Sequence, residues 1–270
     1  NGMVYARGNP RDYDQWAQQG NRGWSFTDVL PYFRQNELYE DGASDLHGGD
    51  GLLSVTHARA KNELIDAFLV AGVQAGYTRI MDFNGPEQHG IGLYDFNIRA
   101  GRRSNSARTL LKVAGARPNL KIIDQALVTR LVIDGKRATA VEYRRDGILN
   151  RVAANREIVL SAGAIGTPHI LMLSGIGPAK HLKSRNIAPL VDLPGVGQNL
   201  VDHADAFVRV RTSKPVSVLR ELRADRIARN VLRACLAGTG PVTESPIAAG
   251  GYFYSRTGLK DPDLQAFFMP

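Results

Sequence analysis

Apolar positions in the first part of the chain recur at helical spacing between loop-rich stretches. Residues 1 to about 60 read mostly as loop. A helix is expected from about Asp28 to Asn36, where Val29, Leu30 and Phe33 share a face, with Pro31 in its first turn. A longer helix is expected from Asn62 to Ala75. Leu64, Ile65, Phe68, Leu69 and Val73 line one side of it, Gly76 ends it, and Gly72 weakens its interior. Ser106 to Val113 suggests a further short helix. The period then shortens to two. Leu120–Ile123, Leu127–Ile133, Ala138–Arg144 and Ile148–Ala153 read as strands, with hairpin turns at Asp134-Gly135 and Asp146-Gly147.

This meander leads into Glu157–Ala162, apolar and β-branched, which reads as a buried strand. It runs into Gly163-Ala164-Ile165-Gly166-Thr167-Pro168-His169-Ile170-Leu171-Met172-Leu173-Ser174-Gly175-Ile176-Gly177. Thr167 suits a helix N-cap, Pro168 the first helical position and Gly175 the stop. Gly-rich backbone between a strand and a helix N-terminus is one way an α/β fold approaches a nucleotide. Small residues at a tightly packed strand–helix joint give the same pattern. Past residue 200, Phe207–Arg211 and Ala266–Met269 read as strands, with a helix between them ending near Leu236. Ala224, Ile227, Ala228, Val231 and Cys235 form its apolar face, opposite Arg223, Arg226, Arg229 and Arg233. A membrane-surface or nucleic-acid helix has this pattern, and so does a solvated helix packed on a sheet. The second reading is preferred, because long basic side chains commonly cover a solvated face.

Composition adds limits. At 270 residues the chain can bury one large core or two modest ones, and 43% hydrophobic with 22% charged residues excludes disorder as the general state. The net charge of +8 would suit a polyanionic partner, yet the basic residues are scattered and no nucleic-acid motif occurs, so no nucleic acid is expected. Cys235 is the only cysteine, which excludes an internal disulfide and a multi-cysteine zinc site, and it reads as a small buried hydrophobe. No apolar run has the length of a membrane span, and cytoplasm is the default compartment. His203 lies between Asp202 and Asp205, but neighbours on irregular backbone point different ways, so no metal is expected there. His169 reads as exposed or packed. His47, His57, His89 and His181 each lack a second His or a Cys at ligand spacing. No G-x-S-x-G elbow occurs, which disfavours a serine hydrolase.

The stretch Gly163–Gly177 resembles the second signature of the glucose–methanol–choline (GMC) oxidoreductases, flavoenzymes that oxidise alcohols with FAD, at every fixed position. Asn1-Gly2-Met3-Val4-Tyr5-Ala6-Arg7-Gly8 resembles the second half of the family's first signature, with Asp14 at its final polar position. Asp12–Trp16 with Gly23-Trp24-Ser25, His47-Gly48 with Gly51, Asp82–Gly85, Gly195–His203 and Pro262–Gln265 resemble further family segments in order. The resemblance covers essentially the whole chain.

That resemblance implies an α/β fold: a partial FAD-binding, Rossmann-like domain with an inserted β-meander over residues 1–200, then the start of a sheet-based substrate domain over 201–270. It implies cofactor contacts at Asn1, Gly2 and Val4 beside the flavin and at the Val128 backbone beside the adenine. Ser161, Ala162 and Gly163 fall on the adenosine side, Asn199 and His203 near the flavin end. FAD is the expected cofactor, and its own negative charge is compatible with the basic balance. A small-molecule alcohol is the expected substrate, with proton removal by a His and hydride transfer to flavin N5. The family's phosphate-binding G-x-G-x-x-G has no match: Leu200 and Lys180 stand where the third Gly would follow Gly195-Val196-Gly197 and Gly175-Ile176-Gly177. The region of the family's catalytic His is not represented either, so no catalytic residue is expected within the chain. The expectation is an internal segment of such an enzyme. The alternative is a catalytically silent fragment that binds FAD weakly or not at all. The particular alcohol and the oligomeric state are left open.

Overall fold

The computed structural model describes residues 2–59 and 61–270. In chain order it has α1 (Pro10–Gln18), α2 (Phe26–Asn36), β1 (Glu37–Tyr39), β2 (Leu53–His57), α3 (Glu63–Gln74), β3 (Arg79–Ile80) and β4 (Gly90–Leu93). There follow β5 (Asp95–Phe96), β6 (Ile98–Arg99), β7 (Arg102–Arg103), α4 (Leu110–Ala114), β8 (Leu127–Asp134), β9 (Arg137–Arg145) and β10 (Ile148–Ala153). The rest are α5 (Gly163–Leu173), β11 (Ile176–Gly177), α6 (Ala179–Ser184), β12 (Val191–Asp192), α7 (Ala224–Ala237), β13 (Ala249–Phe253) and β14 (Leu264–Phe268). The fold is mixed α/β with several small sheets. Contacts divide the chain into two compact units, residues 1–120 with 210–270, and residues 121–209.

Capping chemistry sets the helix starts in the first unit. Asn9 with Asp12, and Ser25 with Asp28, form capping boxes at α1 and α2. The Ser25 box starts α2 two residues before the expected Asp28, so Pro31 is its sixth residue and lies beyond the first turn. α3 matches its expected span, with Asn62 as N-cap. Its interior Gly72 has a packing reason: a Cβ there would stand 2.3 Å from Ile91 Cδ1. Ile65, Leu69 and Ile91 form one buried cluster with Ala248 and Ala249; Ile80, Phe83, Tyr94, Phe96 and Ile98 form another. β1 pairs in parallel with β2, which pairs antiparallel with β5. β3–β4 and β13–β14 are joined through a bridge from His89 to Tyr252.

The second unit holds the expected meander, β8–β9–β10, antiparallel throughout. Asp146 and Gly147 take φ of +52° and +78° in its second turn.

Several expectations do not hold. Leu120–Ile123 and Phe207–Arg211 are not strands, and the expected Ser106–Val113 helix is confined to Leu110–Ala114. Glu157–Ala162 is neither strand nor buried: no described strand pairs with it, and Val159 is 76% exposed. A β-branched run forms a strand only where a neighbour accepts its ladder. α5 begins at Gly163, so Thr167 and Pro168 lie inside it. The basic face of α7 is solvated as expected at Arg223, Arg229 and Arg233, but its apolar face is not buried. Asn230 is buried and donates to Glu221 (3.0 Å), while Ile227, Val231 and Cys235 are exposed. Cys235 is therefore not the buried hydrophobe its residue type suggests.

Candidate cofactor site

In the second unit, Ser161 and Ala162 are exposed and lead into α5, Ala162 at φ −86° and ψ 8°. Gly163 opens the helix at φ +85°, a left-handed conformation that glycine adopts without strain, and a Cβ there would meet nothing within 4 Å. No side chain caps the helix, and its first turn carries no acid. Thr167 instead reaches back, its Oγ1 accepting from the Ala162 N–H at 3.1 Å. The N–H groups of Gly163 to Ile165 have no partner within the helix and form a set of donors at its positive end. That donor set, on small residues with room around it, fits an anionic group such as a dinucleotide pyrophosphate. Val128 lies half-buried in β8, opposite Tyr143 of β9. α5 is tied to β8 by Ser174, whose Oγ accepts from the Leu131 N–H (2.8 Å) and donates to Ile170 O (2.6 Å). Asn199 (φ +56°) and His203 are exposed. Among the described residues no hydrogen bond joins Asn199 or His203 to Val128 or to Ser161–Gly163.

The first unit holds Gly2 and Val4; Asn1 lies outside the described residues. Val4 bridges to Phe96, Tyr5 N–H donates to Asp95 O (2.7 Å), and Asn97 N–H donates to Met3 O (3.0 Å). Met3, between the two expected contact residues, has φ +67°, uncommon for a side chain of its size. Further along, the Asn84 amide grips the same segment, accepting from Arg7 N–H (2.7 Å) and donating to Tyr5 O (3.1 Å).

Behind this segment lies a buried ionic cluster that spacing along the chain does not reveal. Glu37 Oε2 accepts from Arg7 Nη2 (2.8 Å) and Gly48 N–H (2.8 Å), and His47 Nδ1 stands 3.1 Å away. His47 Nε2 faces Asp82 Oδ2 at 3.0 Å, and Asp82 Oδ1 accepts from Asn84 N–H (2.7 Å). The ring of His47 stacks on Tyr39 with centroids 3.8 Å apart. Burial alone would push the imidazole pKa down, but the two carboxylates outweigh it and lift it to about 9. Burial likewise would raise Glu37; hydrogen bonds from His47 and Gly48 and the Arg7 charge hold it below the ordinary carboxylate range. Asp82 is held down in the same way, against its burial, by His47 and Asn84. A second histidine, His57, spans Asp95 (2.8 Å) and Asp41 (2.9 Å), with Tyr39 donating to Asp95. Histidine screening for a second His or Cys passes over both, because their partners are carboxylates from distant segments.

The first unit also contains a cavity of about 1260 Å³, lined by Lys61, Asn62, Val218, Arg229, Arg233 and Glu244 among others. Among the described residues no group of three or more His, Cys, Asp or Glu is arranged to hold a metal ion. No helix of the described residues is long and apolar enough to cross a membrane.

A family model described as GMC oxidoreductase matches residues 1–205. The chain belongs to the GMC oxidoreductase family. Among the relatives similar to this GMC chain is an oxygen-dependent choline dehydrogenase of Burkholderia multivorans, 42% identical over 273 residues, covering 100% of this chain and 48% of the relative. The same enzyme of Stenotrophomonas maltophilia is 43% identical over 273 residues, covering 100% and 49%. The chain thus spans about half the length of the curated relatives it matches. Among solved structures, an FAD-dependent oxidoreductase from Chaetomium thermophilum is 28% identical with a TM-score of 0.82, covering 94% of this chain and 47% of that one. A variant of the Aspergillus oryzae formate oxidase is 26% identical with a TM-score of 0.83, covering 93% and 45%.

Proposed function

We propose that this GMC chain is part of an FAD-dependent oxidoreductase acting on the CH–OH group of a small-molecule alcohol. The observation that carries the reading is the uncapped start of α5, where a glycine at positive φ follows Ser161-Ala162 in a chain of this family. Bound FAD would supply the acceptor for the hydride of the alcohol. The chain's own part is to bind and orient it. The α5 amides and the small residues Ser161–Gly163 take the adenosine side, and the Val128 backbone takes the adenine. Gly2 and Val4 would offer backbone groups to the flavin, where donors held in place favour the charge that reduction brings; Asn1, outside the described residues, is assigned with them from the sequence alone. Asn199 and His203 belong near the flavin end. We assign residues 1–200 to the cofactor role and 201–270 to the start of the substrate role, a division by task that differs from the division by contact. Choline is the first alcohol to try, after the relatives' name, and the single free cysteine suits a reducing compartment such as the cytoplasm.

A second reading concerns the 270 residues alone. Val159 and Ile165 are 76% and 73% exposed on either side of the α5 start, and Glu157–Ala162 pairs with no described strand. The chain has no G-x-G-x-x-G turn to hold the pyrophosphate. The isolated chain is therefore expected to bind FAD weakly or not at all. Titrating it with FAD and recording the visible spectrum after gel filtration tests this, and stoichiometric retained flavin would refute it.

A further inference from the structure

The contacts behind Gly2–Arg7 close into a ring. From Arg7 Nη2 it passes to Glu37 Oε2, to His47 Nδ1, through the imidazole to Nε2, and on to Asp82 Oδ2. From Asp82 Oδ1 it continues to Asn84 N–H, and from the Asn84 side chain to Arg7 N–H, where it began. The ring joins the first segment to β1, to the loop at His47 and to the turn after β3. The side chains of Glu37, Arg7 and His47 are 0%, 3% and 5% exposed, so these charges are not shared with bulk solvent. Two positive groups, Arg7 and His47, balance two negative ones, Glu37 and Asp82. His47 satisfies both carboxylates only with a proton on each nitrogen; neutral, it would turn a lone pair towards one of them.

We propose that His47 is a positioning residue for the cofactor-facing segment Gly2–Arg7, acting through Asp82 and Asn84 without touching cofactor or substrate. Asn84 is the hand of this device: with one oxygen of Asp82 holding its own N–H, its amide clasps Tyr5 O and Arg7 N–H as a neighbouring strand would. Asp95–Asn97 hold the preceding part of the segment at Met3 O and Tyr5 N–H. The segment is therefore held at Met3–Tyr5 by that stretch and at Tyr5–Arg7 by Asn84, with Met3 at its unusual φ at the start of the held stretch. The groups facing His47 are Glu37 and Tyr39 from β1, Asp82 from the turn after β3, and Arg7 behind Glu37.

The proposal rests on the reading of Gly2 and Val4 as flavin-facing, and the test separates the two. Hydrogen–deuterium exchange is followed in the full-length product of the gene, in peptides covering Tyr5–Arg7, with β8–β10 as internal reference. In His47→Gln, protection of the Arg7 amide is expected to fall about tenfold or more while the reference is unmoved. Should that variant fail to fold, the unmutated protein is compared at about pH 7 and about pH 10, across the imidazole's elevated pKa. Corrected for intrinsic exchange, Arg7 protection is again expected to drop about tenfold or more. Unchanged protection in either experiment overturns the role of His47, whatever the cofactor. In the flavin-loaded variant the visible spectrum is expected to shift along with the loss of protection. A loosened segment with an unaltered flavin spectrum would instead overturn the flavin-facing reading, and with it the role assigned here.

Discussion

Glu37 has no exposed side-chain surface, and a carboxylate in that position keeps its charge only because three donors converge on one oxygen. Removing that charge leaves Arg7 and His47 buried without their counter-ion. Glu37→Gln is therefore expected to destabilise the fold by roughly 3 kcal/mol, read as a lowered denaturant midpoint. Asp261→Asn, at the surface pair with Arg11, is expected to leave the midpoint unchanged. The same cluster gives stability a pH dependence. The His47 pKa of about 9 in the fold lies above its ordinary 6.5, so its stabilisation is fully present below about pH 6.5 and is lost as pH rises through about 9. Unfolding midpoints measured across that window should fall in the unmutated chain, and the component due to His47 should be missing in His47→Gln. Little of this was legible in the order of residues. The partners of His47 are ten and 35 residues away, at Glu37 and Asp82, and only the fold brings them together.

At the scale of elements, local chemistry was legible where caps and turns act within a few residues. Asn62 starts α3, and Asp146-Gly147 turns the meander as their types dictate. The two helices with a proline in their interior are different. Pro31 and Pro168 each stand sixth in their helix, where a missing N–H is normally costly. In α2 the Ser25–Asp28 capping box decides the start, a signal present in the sequence but outweighed by the proline rule. In α5 the start is set by the backbone at Gly163 and by Thr167 reaching back, and neither can be read from a capping preference. α7 departs from the usual amphipathic logic, since Arg223, Arg229 and Arg233 are exposed and so are Ile227 and Val231. Its buried side is built on Asn230 and Arg226 bonded to Glu221, which leaves the apolar stripe outside. Val231→Asp is accordingly expected to change stability by no more than about 0.5 kcal/mol. Asn230→Leu is expected to cost about 1–2 kcal/mol by removing a buried hydrogen bond. Thermal melts of the two variants check the contrast, and the opposite order would restore the sheet-packed reading of the helix.

For the whole molecule, the motifs located the family while the hydrophobic pattern could not show which distant parts meet. The return of residues 210–270 to residues 1–120 depends on contacts such as Tyr94 N–H to Ala248 O and Tyr94 Oη to Ala266 O, at 2.9 Å each. No periodicity announces such pairings. The run Glu157–Ala162 shows the same limit from the other side: its composition is that of a strand, but a strand is a property of two chains lying together. The central claim is that this GMC chain binds and orients FAD within an enzyme that oxidises an alcohol. The most direct measurement is the visible spectrum of the purified full-length product, recorded anaerobically before and after addition of choline and then of other small primary alcohols. The expected result is a flavin band that yields stoichiometric FAD on denaturation and that bleaches with at least one alcohol. A colourless protein that takes up no added FAD, or a flavin that no alcohol reduces, would contradict it.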